Sequence, residues 1–335
     1  MKLTLPGFFD LQVNGFGGVD FNGSDLTADQ VAAALERIRA TGVTRCLPTL
    51  ITSSFASFAA NARVLASVSN ATIAGLHMEG PYISPADGAR GAHAVEHIAP
   101  ATIDDFMRRQ DAARGRIVLV TLAPEVPGAL TLIEHLTAIG VRAAIGHTAA
   151  TPEQLRDAIS AGATLATHLG NGCPQMLPRH PNVIWELLAA DGVFASVIAD
   201  GHHLPASTLK SIARAKGPDR TILVTDAIAA AGWSAKASAE RRGADQRLFT
   251  IGGVSCELGA DGRVSLPGTP YLAGSSLTLD RAIANTVRFT GWPIETVIPM
   301  ASTIPAALVG MAPAGTVLAD WTPDACELRV SETLP

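Results

Sequence analysis

The sequence predicts an α/β protein built as a (β/α)8 barrel of the TIM type with a small, truncated β appendage. Three observations predict it: a length of 335 residues, eight short apolar runs separated by stretches of helical length, and ligand-type residues at the ends of those runs. A chain this long exceeds the range of one simple core and matches a barrel of about 250 residues with an appendage. Charged residues make up 16% and hydrophobic ones 47%, a balance that suits strands buried on both faces.

The eight runs are FFDLQVN (8–14), TRCLPTLIT (44–52), IAGLHMEG (73–80), IVLVTLAPE (117–125), RAAIGHT (142–148), ATLATHLG (163–170), FASVIADG (194–201) and TILVTDAI (221–228). They alternate with amphipathic segments, the pattern of βα units around a parallel sheet. Helix starts are marked locally: Thr27 with Gln30 and Thr151 with Gln154 form capping boxes, the second with Pro152 at the first helical position. Eight units close a barrel, and no GxGxxG follows the first run to favour an open dinucleotide-binding sheet. The expected division is a barrel over 6–235, an inserted β hairpin over 236–274, helices completing the barrel over 275–318 and a C-terminal strand over 319–335. Within the insertion, Asp261-Gly262 lies between strand-like runs and reads as a hairpin turn.

A net charge of -5 without Lys/Arg clusters excludes a nucleic-acid binder and leaves small molecules as substrates. The N-terminal MKLTLPGFFDLQVNG carries one Lys and a short apolar run ending at Asp10, so it reads as structure rather than as a secretory signal. The uncharged stretch from Thr296 to Ala319 is interrupted by Pro299, Pro305 and Pro313, which favours a buried helix over a membrane span. Cys46, Cys173, Cys256 and Cys326 are far apart with no CxxC, which points to a reducing cytoplasm rather than to a disulfide framework or a thiolate zinc site.

In such barrels the C-terminal ends of the strands share one mouth, so chemistry is expected there. The ends of seven of these runs carry Gln12 and Asn14, Glu79, Glu125, His147, His168, Asp200 and Asp226. His147 and His168 end neighbouring runs and Glu79 arrives from the third, a His2Glu set that suits one open divalent metal site. Each histidine alone reads equally well as a core or loop residue satisfied by hydrogen bonds; together they favour metal. Glu79 alone could cap backbone amides. His77, two residues before Glu79, is expected to be structural. Asp226 ends the apolar LVTD, where an acid is hard to explain by packing, and it suits a general base and then acid; its plainer role would be a salt bridge or a loop cap. His93, His202 and His203 are loop histidines suited to polarising a carbonyl or binding hydroxyls, each reading equally well as a surface residue, and Arg179 can grip an anion bidentately, though alone it reads as an ordinary surface arginine. Gln12 and Asn14 are amides, weak zinc ligands, so one metal is expected rather than two.

These residues carry a resemblance. PGFFDLQVNG, LPTLITSS, GLHMEGPYIS, RGAH, VTLAPE, GHTAAT, ATHLGNGCP, IADGHH, LVTDAIAAAG and LAGSSLTLDRA, in this order from residue 6 to about 310, resemble the N-acetylglucosamine-6-phosphate deacetylase family of the amidohydrolase superfamily. The resemblance implies Glu79, His147 and His168 as ligands of one divalent metal, zinc or alternatively iron, and Asp226 as catalytic acid and base. It implies that His93 and His203 contact the sugar or the acyl carbonyl, and that Asn171 and Gly172 meet the sugar phosphate. Arg179 fits a phosphate-binding arginine that reaches the site across a homodimer interface. The chain departs from the family in three places: it starts almost at the first barrel strand, it reads GNGCPQMLPRH after His168, and its C-terminus keeps only GTVLAD of the usual ending. The shortened β region is therefore expected to be covered otherwise, as by a partner subunit. The expected reaction is deacetylation of an N-acetylated amino sugar, N-acetylglucosamine 6-phosphate or a close relative. The rival readings are hydrolysis of another amide, a cyclic amide or a deamination substrate, and a non-catalytic sugar-binding module.

Overall fold

The computed structural model describes residues 1–233, 248–269 and 271–335. After a first strand, β1 (Lys2–Pro6), the barrel begins with β2 (Phe8–Val13); a small loop ladder of β3 (Gly15–Phe16) and β4 (Val19–Asp20) leads into α1 (Ala28–Arg39). The repeat then runs β5 (Val43–Ile51), α2 (Phe55–Ser67), β6 (Leu76–Glu79), α3 (Ile103–Ala112), β7 (Ile117–Leu122), α4 (Ala129–Ala138), β8 (Arg142–Ile145), α5 (Pro152–Ser160), β9 (Leu165–Ala166), α6 (Val183–Ala189), β10 (Phe194–Ile198), α7 (Ala206–Lys216) and β11 (Thr221–Val224).

All eight apolar runs supply a strand, and each strand pairs in parallel with the next in sequence order. The ring is drawn together between its first and last strands. Asp226 N–H donates to Gln12 O at 3.0 Å, Asn14 N–H to Ala227 O at 2.7 Å, and the Asp10 carboxylate accepts from the Thr225 hydroxyl at 2.6 Å. One side-chain bond and two backbone bonds thus close a ladder that is short at this seam. Both capping boxes form, with Thr27 and Thr151 each accepting from the backbone of the glutamine three residues on. One continuous core of aliphatic and aromatic side chains fills the barrel and the layer under its helices.

The inserted segment is only partly within the described residues: 234–247 and 270 lie outside them. The remainder forms an antiparallel sheet of β12 (Leu248–Ile251), β13 (Val254–Leu258) and β14 (Val264–Ser265). The hairpin expected at Asp261-Gly262 connects β13 to β14, closed by Gly259 N–H to Arg263 O at 2.8 Å. Gly262 sits at φ +90 there, a backbone conformation that favours glycine. Ile251, Cys256 and Val264 give this sheet a small core separate from that of the barrel.

Next come α8 (Leu279–Thr290), α9 (Ile294–Val297) and α10 (Thr303–Leu308). The uncharged stretch 296–319 is not one helix. Pro299 falls in a 3-10 turn over Ile298–Ala301 and Pro305 in the first turn of α10, so the chain breaks into short pieces before entering a strand. Among the described residues no helix is long and apolar enough to cross a membrane. Where one C-terminal strand was expected, two are found, β15 (Thr316–Thr322) and β16 (Glu327–Leu334), joined by a turn in which Cys326 takes φ +46. β1 pairs antiparallel with β15 to complete a three-stranded sheet. This sheet lies within one chain, and a pairing over more than 300 positions leaves no local signal for sequence reading to find.

Candidate metal centre and active site

Glu79 is the last residue of β6, His147 and His168 follow β8 and β9 by two residues, and Asp226 follows β11 by two. The eight-fold repeat therefore aims all four side chains into one mouth. His147, His168 and Asp226 adopt left-handed backbone at φ +50, +31 and +52, three of the five non-glycine residues with positive φ among the described residues. That conformation costs on the order of 1–3 kcal/mol each and persists only where the surroundings enforce it. Strain is thus concentrated at the strand ends that present these side chains.

The three expected metal ligands come together. Glu79 Oε1 lies 3.1 Å from His147 Nε2 and 3.0 Å from His168 Nε2, and the two nitrogens are 3.1 Å apart. All three residues are buried. His147 Nδ1 donates to Ala89 O at 3.0 Å, which leaves its Nε2 lone pair directed at the cluster. Two imidazole nitrogens and a carboxylate oxygen converging on one point repel one another unless a cation lies between them. The donor chemistry of this set fits a divalent metal. Without a metal, protons take that place. Burial raises Glu79, but the hydrogen bonds and charges of His147 and His168 outweigh it and hold the carboxyl well below the usual range. His168 is raised in turn, because its bond to Glu79 outweighs burial.

Gln12 and Asn14 have a role that differs from weak metal ligation. Gln12 Nε2 donates to Glu79 Oε1 at 2.9 Å and to Asp226 Oδ1 at 3.1 Å, and Asn14 Nδ2 donates to Asp226 Oδ1 at 2.7 Å. The amides of the first strand thus hold the expected ligand and the expected proton carrier in register. Asp226 is pushed up to about 6, mainly by burial and next by the charge of Glu79. A carboxyl poised there can take a proton and return it near neutrality.

His93 lies beside the centre, its ring edge-on to His147 at 4.2 Å between centroids, with Nδ1 2.8 Å from the Thr52 hydroxyl. Burial, then the neighbouring His147, pushes it down to about 3, so its imidazole is neutral. His203 is oriented by Asp200, whose Oδ2 is 2.6 Å from its Nδ1. Asn171 folds back on His168 O, and Gly172 lies so close to His147 that an added methyl would stand 2.9 Å from Nδ1. His93, Asn171, Gly172 and His203 all line one cavity of about 600 Å³ with Glu79, His147, His168 and Asp226.

Other strand-end candidates are structural. Glu125 accepts from the Thr148 hydroxyl and the Ala149 amide, each at 2.6 Å, and Asp200 caps the amides of His202 and His203. His77 is buried between Thr121, at 2.8 Å from Nε2, and Leu11 O, and burial pushes it down to about 4. His202 reaches Asp261 O of the insertion. Arg179 is exposed and is not part of its own chain's cavity wall. Sequence reasoning missed the wall opposite the metal centre, made by Ile251, Leu266, Tyr271 and Leu272, and a charged pair, Asp87 and Arg90. Only the RGAH run drew attention to the latter.

A model of the amidohydrolase family matches residues 3–326. The N-acetylglucosamine-6-phosphate deacetylase of Homo sapiens is 34% identical over 92% of this chain and 75% of its own length. The N-acetylgalactosamine-6-phosphate deacetylase of Escherichia coli O157:H7 is 32% identical over 92% of this chain and 79% of its own. Among solved structures, a mutant N-acetyl-D-glucosamine-6-phosphate deacetylase of Mycobacterium smegmatis in complex with N-acetyl-D-glucosamine-6-phosphate matches with a TM-score of 0.88 at 31% identity, covering 99% of this chain and 85% of that one. With the barrel, the His2Glu cluster and these likenesses together, the chain belongs to the N-acetylglucosamine-6-phosphate deacetylase family of the amidohydrolase superfamily.

Proposed function

We propose that this protein hydrolyses the N-acetyl group of an N-acetylhexosamine 6-phosphate, releasing acetate and the amino sugar phosphate. The observation that carries the reading is the placement of Asp226 beside the Glu79–His147–His168 cluster, held by Gln12 and Asn14. Glu79, His147 and His168 would hold one divalent metal, which when bound supplies the Lewis acidity that acidifies water and polarises a carbonyl. Zinc suits the N2O donor set, with iron as the alternative. A single ion is supported by the engagement of Gln12 and Asn14 with carboxylates.

Asp226 accepts a proton as the oxygen of water bonds to the acyl carbon, and returns it to the amide nitrogen as the C–N bond breaks. Water thus divides between acetate and amine, and the nitrogen leaves neutral. His93, neutral and fixed by Thr52, is placed to donate a hydrogen bond to the acyl or sugar oxygen. His203, Asn171 and Gly172, which line the same cavity, bind the sugar and its phosphate. Relatives named for the glucosamine and for the galactosamine epimer are almost equally similar, so the reading covers both.

The reading extends to a homodimer in which the partner subunit's Arg179 meets the phosphate. Its support is the exposure of Arg179 on a loop beside the cavity, next to Met176, which is 88% exposed. A reducing cytoplasm is supported by four unpaired cysteines. Acetate release tests the function: wild type is expected to act on the 6-phosphates and to prefer them over the unphosphorylated sugars. Arg179→Ala is expected to weaken only the former. If phosphate brings no gain to wild type, the sugar-phosphate reading fails.

A further inference from the structure

A phosphorylated substrate brings two negative charges into the cavity. Among the described residues that line it, Arg90 is the only Lys or Arg. Its backbone is fastened on both sides. Ala89 O accepts the His147 Nδ1 proton at 3.0 Å, and a methyl built on Gly91 would stand 3.4 Å from His147 Cε1. Gly88 of the same loop lies against the backbone of residues 173–175, beyond Asn171 and Gly172. The loop therefore joins the metal centre to the segment that follows Asn171 and Gly172, with Arg90 between them.

The side chain is partly buried, at 26% exposure, and incompletely committed. A guanidinium has five N–H donors. Here Nη1 donates to His93 O at 3.1 Å, Nη2 donates to Asp87 Oδ1 at 3.1 Å, and Nε is buried without a partner. The Asp87 side chain is 97% exposed, so that pair is screened by solvent and readily exchanged. A phosphate offers the bidentate geometry that a guanidinium prefers.

We propose that Arg90 is the substrate's anion anchor within the same chain: it exchanges Asp87 for the phosphate and sets the preference for phosphorylated N-acetyl amino sugars. The proposal rests on the deacetylase reading above and adds a residue to it. Arg90 binds while Asp226 moves the proton, so its loss should appear in KM rather than in kcat.

The test compares wild type, Arg90→Gln and Arg90→Lys, all metal-replete, on N-acetylglucosamine 6-phosphate and on N-acetylglucosamine. Arg90→Gln is expected to raise KM for the phosphorylated sugar by about 10- to 100-fold, the scale of a lost charge-assisted bond, and to change the unphosphorylated sugar little. Arg90→Lys should recover part of the loss. Equal losses on both sugars would make Arg90 a strut of the loop and overturn the proposal, as would no loss on either. Calorimetric binding of glucosamine 6-phosphate separates this result from the fate of the deacetylase reading. If wild type releases acetate from neither sugar, that reading fails, and Arg90 is then judged by binding alone: weaker binding by Arg90→Gln supports the anchor, and unchanged binding overturns it.

Discussion

Asp10 shows how one buried group can serve the seam of a barrel. Its carboxyl accepts from Gln12 N–H, Thr225 N–H and the Thr225 hydroxyl, joining the first and last strands just below the mouth. Burial pushes it up to about 7 against the lowering effect of those bonds. The folded state therefore binds a proton that the unfolded chain, with its ordinary carboxylate near 3.8, has already lost. Stability from this group is complete below about pH 4 and falls as pH rises through about 7, by on the order of a few kcal/mol. Glu79, held low by its histidines, has the opposite sign: its contribution is present above its ordinary range and lost as pH falls. Urea unfolding of metal-free protein between about pH 5 and 7 should show wild type losing stability relative to Asp10→Asn as pH rises, the histidines held low at His77 and His93 contributing equally to both. Identical profiles would remove Asp10 from this role.

At the scale of elements, the insertion is the part that sets the cavity's far wall. β12 to β14 share a small core with Ile228 and Ala230 at the barrel mouth, apart from the main one, and Asp20 ties them to the barrel by accepting from Gly252 N–H at 2.9 Å. Ile251 belongs to that core and also lines the cavity. Ile251→Ala should cost the insertion about 2–5 kcal/mol and speed hydrogen exchange in β12 and β13, while β5 to β8 keep their protection. Uniform loss across the barrel would show that the insertion is not a separate unit. The sequence made the eight strands and the metal ligands legible because both obey local rules: apolar runs of strand length, each ending in a polar residue. It did not reveal what Gln12 and Asn14 do, since their partners lie 67 and more than 200 positions away. The amide chemistry was visible, but its direction was not. For the same reason the β1–β15 pairing and the wall formed by Leu266, Tyr271 and Leu272 were hidden. Arg179 is expected, from the resemblance, to serve a neighbouring subunit's site, and its side chain lies outside the cavity of its own chain.

For the whole molecule, the cluster joins the ends of β6, β8 and β9 at one point, so an ion bound there favours the folded chain over the unfolded one. Saturation at about 1,000 times Kd corresponds to about 4 kcal/mol, and a chelator is expected to lower Tm by several degrees. Glu79→Gln should lower Tm in metal and abolish most of the response to the chelator; a full response in that variant would place the stabilising metal elsewhere. The central claim assigns holding the metal and moving the proton to different residues, a division that a single isosteric change can separate. In metal-replete Asp226→Asn, the initial rate of acetate release from N-acetylglucosamine 6-phosphate, per bound metal equivalent, is the direct measurement. The account predicts a fall of about 10²- to 10⁴-fold with close to one equivalent of metal retained per chain. A rate equal to that of wild type at the same metal content would contradict it.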